Sequence, residues 1–406
     1  MTRPMLPAVA CTIILVMGQI AVFGGVRSEE LLQSPGFELV SGTSAVGWAP
    51  FEQGYSVTGE TVRTGTRAIV CRNGAYEDRR GATATITLNQ AAPRPILITG
   101  WSKAESVGGF RNNDYSVYVD LVHTDGTPLW GQTAPFSVGT HDWQRRQVLV
   151  FPTKPIKRLL VHALFRHHTG TVWFDDFSVR ELAPEATFDG QPIGAPRLPS
   201  GASSAWFVRD VGANGPLRLV ARGGLVNGSG CKALQIAVDR LTHEPGAAGL
   251  RVLDAAGRNR CLSIYYVERV PSGDVVWWHD MRRSTRCSDA GEHANLVRVG
   301  VGATGMQSLY PLACATGPRF GRAIGVNPAD GPRVVRFGYH ASSRLLYAAF
   351  DVALVSDNVR NSERGRGAAR VSVARWDVDP AWGFRSALAR YYRTFPRAFD
   401  RRADKD

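Results

Sequence analysis

Hydrophobic and polar residues alternate with a period of two along short stretches in the first half of the chain. The pattern is clear at 82–88, 96–101 and 115–121, and Asp125-Gly126 follows the third stretch as a hairpin turn signal. Strict alternation of this kind is typical of strands with one buried face. Helical periodicity does not accompany it, so we predict an all-β sandwich domain over residues 29–183.

The second half of the chain is again rich in β-branched and aromatic runs, which suit strands. These runs lie at 233–238, 261–267, 334–339, 345–350 and 370–376. After Asp379-Pro380, a helix start signal, six apolar residues recur at helical spacing: Trp382, Phe384, Leu388, Tyr391, Tyr392 and Phe395. We predict a second, larger β-sandwich over 205–380, then a helix ended by Pro396 and a polar tail within 381–406.

The segment 184–204 separates the two halves and is rich in Pro, Gly, Ala and Ser. This composition predicts a spacer of modest stiffness with no apolar face to bury. A chain of 406 residues has room for two domains, each with its own core.

The N-terminus has the pattern of an export signal. Arg3 precedes an apolar run over 8–23, and Val26-Arg27-Ser28 follows where a signal peptidase would cut. We therefore predict that residues 1–28 are a signal peptide and that the protein is extracytoplasmic, either secreted or periplasmic. After cleavage we expect no membrane contact. An uncleaved anchor is the alternative.

The formal net charge is +13 and comes mostly from arginine. Two explanations stay open: arginines that grip acidic sugars or phosphates, and codon bias in a GC-rich genome. The basic residues are dispersed and no aromatic–basic recognition motif accompanies them, so we expect no nucleic-acid partner.

Two further motifs are rejected on their context. The sequence G-x-G-x-x-G at 300–305 lacks the helix that a dinucleotide site requires, because Pro311 interrupts it. His167 and His168 are adjacent, so a strand would point them to opposite faces and away from a shared metal ion.

Five cysteines follow the predicted signal without a CxxC pair, and one or two disulfides in the second half remain open.

Two motifs carry a family resemblance. Pro35-Gly36-Phe37-Glu38 near the start of the first domain and Trp173-Phe174-Asp175-Asp176 near its end resemble those of carbohydrate-binding modules of families four, nine and twenty-two. The resemblance covers about residues 31–182. It implies a β-jelly roll whose two ends lie side by side, often with one structural calcium. Glu38 and Asp176 match the acids that would hold the ion; acids that cap backbone N–H groups are the alternative.

The resemblance also implies a sugar-binding sheet face, where aromatic rings stack on pyranose C–H groups beside polar side chains. Candidate platforms are Trp101, Tyr118 and Trp130, and candidate polar partners are Asp120, Gln132 and Arg166. Trp101 and Tyr118 each lie on the more polar face of an alternating strand. The alternative for each aromatic residue is packing in the core or under a loop.

The second half resembles, in layout and closing helix, the β-supersandwich that precedes the catalytic barrel of some glycoside hydrolases. We therefore expect an exported polysaccharide- or oligosaccharide-binding protein that works with a separate catalytic protein. The alternative is a glycoside hydrolase or lyase with its site in the second sandwich. Its candidate acids are Asp274, Asp280, Glu292 and Asp351, none of which the sequence pairs. Trp277-Trp278 would then line a second sugar groove or form a buried aromatic pair.

Overall fold

The computed structural model describes residues 29–220, 234–240, 247–287, 291–298, 306–330, 334–355, 362–363 and 366–399. The predicted signal peptide, the glycine motif at 300–305, Cys231 and the tail from residue 400 lie outside the described residues.

Twelve strands, β1–β12, build the first domain. They are β1 (Val40–Ser41), β2 (Ser44–Ala45), β3 (Ala49–Pro50), β4 (Ser56–Thr58), β5 (Ala68–Asn73), β6 (Arg79–Thr87), β7 (Ile96–Val107), β8 (Tyr115–His123), β9 (Pro128–Pro135), β10 (Gly139–Val150), β11 (Ile156–Arg166) and β12 (Gly170–Glu181). Ten of them form two five-stranded antiparallel sheets: sheet I, in the order β10-β7-β12-β5-β4, and sheet II, in the order β3-β6-β11-β8-β9. Strands β5 to β8 alternate between the sheets, which gives the predicted β-sandwich.

Alternation along β8 shows how the sequence builds this sandwich. Val117, Val119 and Leu121 are fully buried between the sheets, whereas Tyr118 and Asp120 are half-buried on the outer face of sheet II. Burying one face of each strand supplies the main favourable free energy, at roughly 25 cal/mol per Å² of apolar surface. The strands predicted at 82–88, 96–101 and 115–121 are all confirmed.

The two ends of the first domain lie side by side, as predicted. The Leu31 backbone N–H donates to the carbonyl of Val179 at 2.9 Å, and that of Phe177 donates to the carbonyl of Pro35 at 2.8 Å. Three aromatic rings pack at this junction, with centroids 4.9 Å apart for Phe37 and Trp48 and 5.3 Å apart for Trp48 and Phe177. The two motifs therefore meet in a shared aromatic core.

Sixteen described strands, β13–β28, build the second domain. They are β13 (Ser204–Asp210), β14 (Arg218–Leu219), β15 (Leu234–Arg240), β16 (Ala248–Asp254), β17 (Arg260–Arg269), β18 (Val276–Trp278), β19 (Ser284–Arg286), β20 (Glu292–Ala294), β21 (Leu296–Arg298), β22 (Met306–Ser308), β23 (Leu312–Gly317), β24 (Phe320–Gly325), β25 (Val335–His340), β26 (Leu345–Leu354), β27 (Ser362–Glu363) and β28 (Arg366–Asp377).

Among these strands, six form sheet III, in the order β14-β13-β17-β26-β25-β20. Eight form sheet IV, in the order β15-β16-β28-β24-β23-β18-β19 with β27 paired to β28. One core of buried residues, including Ile264, Phe350 and Val371, lies between sheets III and IV. The second, larger sandwich is therefore confirmed.

The predicted C-terminal helix is present as α1 (Gly383–Thr394), and a short 3₁₀ helix at Pro396–Ala398 follows it. Phe384 and Tyr391 are buried in a cluster with Trp376 of sheet IV. Trp382 and Tyr392, in contrast, are 60% and 46% exposed. Within the described ranges, no helix combines the length and the apolar character that a membrane span needs.

The segment predicted as a spacer has a buried apolar residue, so that part of the prediction is wrong. Phe188 is fully buried on the outer face of sheet III, with its ring centroid 4.6 Å from that of Tyr347 and 5.6 Å from that of Tyr265. A 3₁₀ helix at Pro184–Ala186 begins this segment. Phe188 contributes the largest apolar side chain of this segment, and the partly buried Ile193, Ala195 and Leu198 pack against the same cluster.

Candidate functional site

A row of directly opposed residues crosses the outer face of sheet II. Thr133 of β9 pairs with Tyr118 of β8, Tyr118 with His162 of β11, and His162 with Thr83 of β6. Directly opposed residues in antiparallel strands point to the same face. The row therefore places one phenol, one imidazole and two hydroxyl groups on a single face, where the His162 imidazole is only 7% exposed.

The rings in this row contact one another and a third ring. The centroid of His162 lies 5.6 Å from that of Tyr118 and 5.6 Å from that of Phe51, both in edge-on geometry. Thr83 Oγ1 and His162 Nδ1 share a hydrogen bond of 2.8 Å. Burial is the main cause that lowers the pKa of His162, so the imidazole is neutral at pH 7.

Polar side chains flank Tyr118. Asp120, two residues along β8, accepts a hydrogen bond from the backbone N–H of Gly131 at 2.8 Å. Arg166 lies on the other side, with its guanidinium carbon 6.0 Å from the Tyr118 ring centroid and its Nε 2.7 Å from Asp114 Oδ1. Burial first, and the Asp120 carboxylate second, raise the pKa of Tyr118, so the phenol keeps its proton.

The structure thus brings together Tyr118, Asp120 and Arg166 of the predicted sugar site. Trp130 is 57% exposed at an irregularity of β9, next to Gly131, whose φ of +72° disfavours any side chain. The extra residue shifts the register, so that Gln132 pairs with the buried Val119. Gln132 therefore lies on the opposite face of β9 from Thr133, and away from Tyr118.

Trp101 lies on the other sheet. It belongs to β7 of sheet I, so it shares no face with Tyr118. The guanidinium carbon of Arg63 lies 3.6 Å from the centroid of the Trp101 ring and covers it. A pyranose therefore has no access to that side of the ring.

Sequence reasoning missed His162, Thr83, Thr133 and Phe51 as members of the site. Thr83 alternates with the buried Ala82 and Ala84 of β6, and this period-two signal could have found it. The sequence does not show that β6, β11, β8 and β9 are neighbours in one sheet, so it could not show that these residues meet.

The acids predicted to hold calcium accept hydrogen bonds from one turn, residues 63–67. Glu38 accepts from the Thr66 N–H at 2.9 Å, the Thr66 hydroxyl at 2.7 Å and the Arg67 N–H at 3.1 Å. Asp176, at a φ of +47°, accepts from the Thr64 hydroxyl and pairs with the guanidinium of Arg63. With these partners, the two carboxylates resemble caps of the turn more than ligands of a cation, because the Arg63 guanidinium already neutralises Asp176.

Asp175, the residue before Asp176, is fully buried. It accepts the backbone N–H of Arg63 at 2.8 Å and that of Asp176 at 2.7 Å. Burial raises the pKa of Asp175 to about 6. Among the described residues, no group of three or more His, Cys, Asp or Glu side chains is placed to hold a metal ion.

Calcium at Glu38 and Asp176 stays a prediction with a direct test, the melting temperature of the protein with and without a chelator. An ion that binds only the folded state raises that temperature by mass action. A lower melting temperature in chelator, restored by added calcium and not by magnesium, supports the ion. An unchanged curve leaves the hydrogen-bonded caps as the explanation.

The acids considered for catalysis in the second sandwich have structural partners. Glu292 accepts hydrogen bonds from the backbone N–H of Asp189 at 2.6 Å and from the Tyr347 hydroxyl at 2.8 Å. Burial, followed by the nearby Asp189, raises the pKa of Glu292 to about 7. Asp351 accepts from Ser263 at 2.6 Å and pairs with Arg336.

The remaining two acids lie elsewhere. Asp280 pairs with Arg283 at 2.7 Å within its own turn, and the Asp274 side chain is 73% exposed. Trp277 is buried in the core and the half-buried Trp278 donates to Thr316 at 3.0 Å, so this pair forms no open groove. The four described cysteines, Cys71, Cys261, Cys287 and Cys314, are unpaired.

No family model matches the chain. Part of it is similar to the tRNA nuclease WapA of Bacillus subtilis strain 168, with 38% identity over 112 residues, or 26% of this chain and 5% of that protein. The tRNA3(Ser)-specific nuclease WapA of Bacillus spizizenii is also 38% identical, over 111 residues. The chain thus spans 5% of the length of the curated relatives it matches.

Solved structures with some similarity include the CBM22-1 xylan-binding domain of Paenibacillus barcinonensis Xyn10C, with a TM-score of 0.30 and 18% identity, covering 38% of this chain and 96% of that one. The tandem CBM22-1–CBM22-2 domains of the same protein give a TM-score of 0.32 and 13% identity, covering 86% and 97%. TmCBM61 in complex with β-1,4-galactotriose gives 0.27 and 12%, covering 38% and 99%.

Proposed function

We propose that the first sandwich binds a polysaccharide or oligosaccharide on the outer face of sheet II, and that the protein does so outside the cytoplasm. The observation that carries this proposal is the row of rings formed by Tyr118, His162 and Phe51, bordered by hydrogen-bonding side chains. Sugars need both features, because their C–H faces pack on aromatic surface while their hydroxyl groups require donors and acceptors.

The charges beside Tyr118 favour a neutral sugar at that position. Arg166 is neutralised by Asp114, and Asp120 adds a carboxylate beside Tyr118. A phosphate backbone would instead require unpaired cations along its path. Asp120, a half-buried carboxylate beside Tyr118, is suited to accepting hydrogen bonds from sugar hydroxyl groups.

In this proposal the protein is a non-catalytic binding component that serves a separate glycoside-cleaving protein. The engagement of Glu292 and Asp351 in structural hydrogen bonds supports this role over catalysis in the second sandwich. Export, through the apolar segment at 8–23, would place the protein where polysaccharides occur.

Replacing Tyr118 by alanine should weaken binding to the best ligand of a polysaccharide array about two- to tenfold. Loss of ring contact accounts for about 0.5–1.5 kcal/mol, and each 1.4 kcal/mol is a factor of ten in affinity. Titration calorimetry on the full chain measures the change. Tyr392→Ala is a matched control, because Tyr392 is 46% exposed and belongs to α1, outside the first sandwich.

Three results would contradict the proposal. Unchanged affinity in Tyr118→Ala, with a lower melting temperature, would make Tyr118 a purely structural residue. Release of reducing sugar by the purified chain would favour the hydrolase alternative. Cleavage of tRNA, the activity in the names of the curated relatives, would favour a different class of function altogether.

A further inference from the structure

The outer face of sheet I presents a tryptophan between two guanidinium groups. Arg145 of β10 lies directly opposite Trp101 of β7. Arg63, from the turn before β5, stacks over the same ring at 3.6 Å. This surface is separate from the Tyr118 row, because it belongs to the other sheet of the sandwich.

The two guanidinium groups differ in their partners. Arg63 is neutralised by Asp176, and its backbone N–H binds the buried Asp175. Arg145 donates to the amide oxygen of Gln147 at 3.2 Å, and no ion pair of Arg145 occurs among the described residues. Partial burial and then the nearby charge of Arg63 lower the pKa of Arg145. Arg145 is thus held close to a like charge without an acid beside it.

The neighbouring charges on this face do not supply that acid. Asp142, which lies on β10 three residues before Arg145, pairs with Lys103 at 3.0 Å. Asp175 pairs across the sheet with Trp101 but has its carboxylate below the surface, held by backbone N–H groups. The open position next to Arg145 therefore suits an anionic group supplied by a ligand.

We propose that Arg145, beside the stacked pair of Arg63 and Trp101, forms a second site that binds the carboxylate of a uronic-acid-containing polysaccharide. The planar fork of a guanidinium matches the two oxygens of a carboxylate. Because Arg63 covers Trp101, recognition here depends on charge and not on stacking of a neutral sugar. A nucleic acid is disfavoured next to Arg145, because Asp142 and Asp176 already neutralise Lys103 and Arg63.

The test is binding of the full chain to sodium polygalacturonate and to its fully methyl-esterified form, which has the same sugar without the charge. Arg145→Gln should weaken binding to the acid form about three- to tenfold, the effect of one charge-assisted hydrogen-bonding group at a partly exposed site. Binding to the ester should not respond to Arg145→Gln. Affinity for the acid form should also fall as salt rises.

Two controls separate this site from other causes. Arg251→Gln removes the same charge from the exposed face of β16 in the second sandwich and should leave binding unchanged. Tyr118→Ala should also leave binding to the acid form unchanged, because Tyr118 lies on sheet II. A failure of the sheet II proposal can therefore be told apart from a failure of this one. Three results would each overturn the proposal. The first is that polygalacturonate does not bind, and the second is that Arg251→Gln weakens its binding as much as Arg145→Gln does. The third is that Arg145→Gln weakens binding of tRNA more than binding of polygalacturonate.

Discussion

Phe177→Ala should destabilise the first sandwich by about 3–5 kcal/mol, the usual effect of truncating a buried aromatic side chain. Phe177 is 1% exposed and packs against Phe37 and Trp48 where the two ends of the domain join. Its ring also fills the space above Gly100, where an added Cβ would come within 2.7 Å. The cavity would therefore open at the junction that closes the domain.

Urea denaturation monitored by circular dichroism measures this loss, because the first unfolding transition should move to a lower urea concentration. Phe110→Ala is the matched control, since Phe110 is 91% exposed and its removal should change stability by less than about 0.5 kcal/mol. Equal effects of the two substitutions would show that the aromatic junction does not stabilise the domain.

Arg336→Met should destabilise the second sandwich by about 3–5 kcal/mol, because it leaves a buried charge without its partner. Arg336 Nη2 lies 2.7 Å from Asp189 Oδ2, and the Asp189 side chain is only 4% exposed. The second partner, Asp351, has a side chain that is 45% exposed, so water partly compensates for its loss. Most of the effect should therefore come from Asp189.

The double variant Arg336→Met with Asp189→Asn tests that assignment, since it removes both charges and should recover part of the lost stability. Arg286→Met is the surface control, because its pair with Asp274 spans 3.9 Å and both side chains are more than 70% exposed. Its expected effect is below about 1 kcal/mol. A loss in Arg336→Met no larger than that of the control would contradict a structural role for this ion pair.

Local patterns predicted the strands well because each strand buries one face. The period-two alternation of β8 placed Val117 and Val119 inside and Tyr118 outside, as found. The adjacency of the two ends followed from the motifs at 35–38 and 173–176: Phe37 of the first packs against Phe177, the residue directly after the second. The C-terminal helix followed from its apolar spacing and from Pro396.

The composition of the candidate site on sheet II could not be predicted in the same way. Alternation shows that Trp101 and Tyr118 leave the core, but it does not show which of two sheets each belongs to. The register of β9 depends on one extra residue near Gly131, and that residue turns Gln132 to the other face. Phe188 was overlooked because one aromatic residue in a polar stretch produces no periodic signal.

The docking of Phe188 also sets how far the two sandwiches can separate. The last strand of the first sandwich ends at Glu181, and the segment fixed to sheet III begins at Pro184. The tether between them is two residues long and reaches about 7 Å when extended. Flexible tethers of many residues let a module sweep a wide volume around its attachment point. This tether is too short for that, so a ligand of the second sandwich must lie near any ligand of the first.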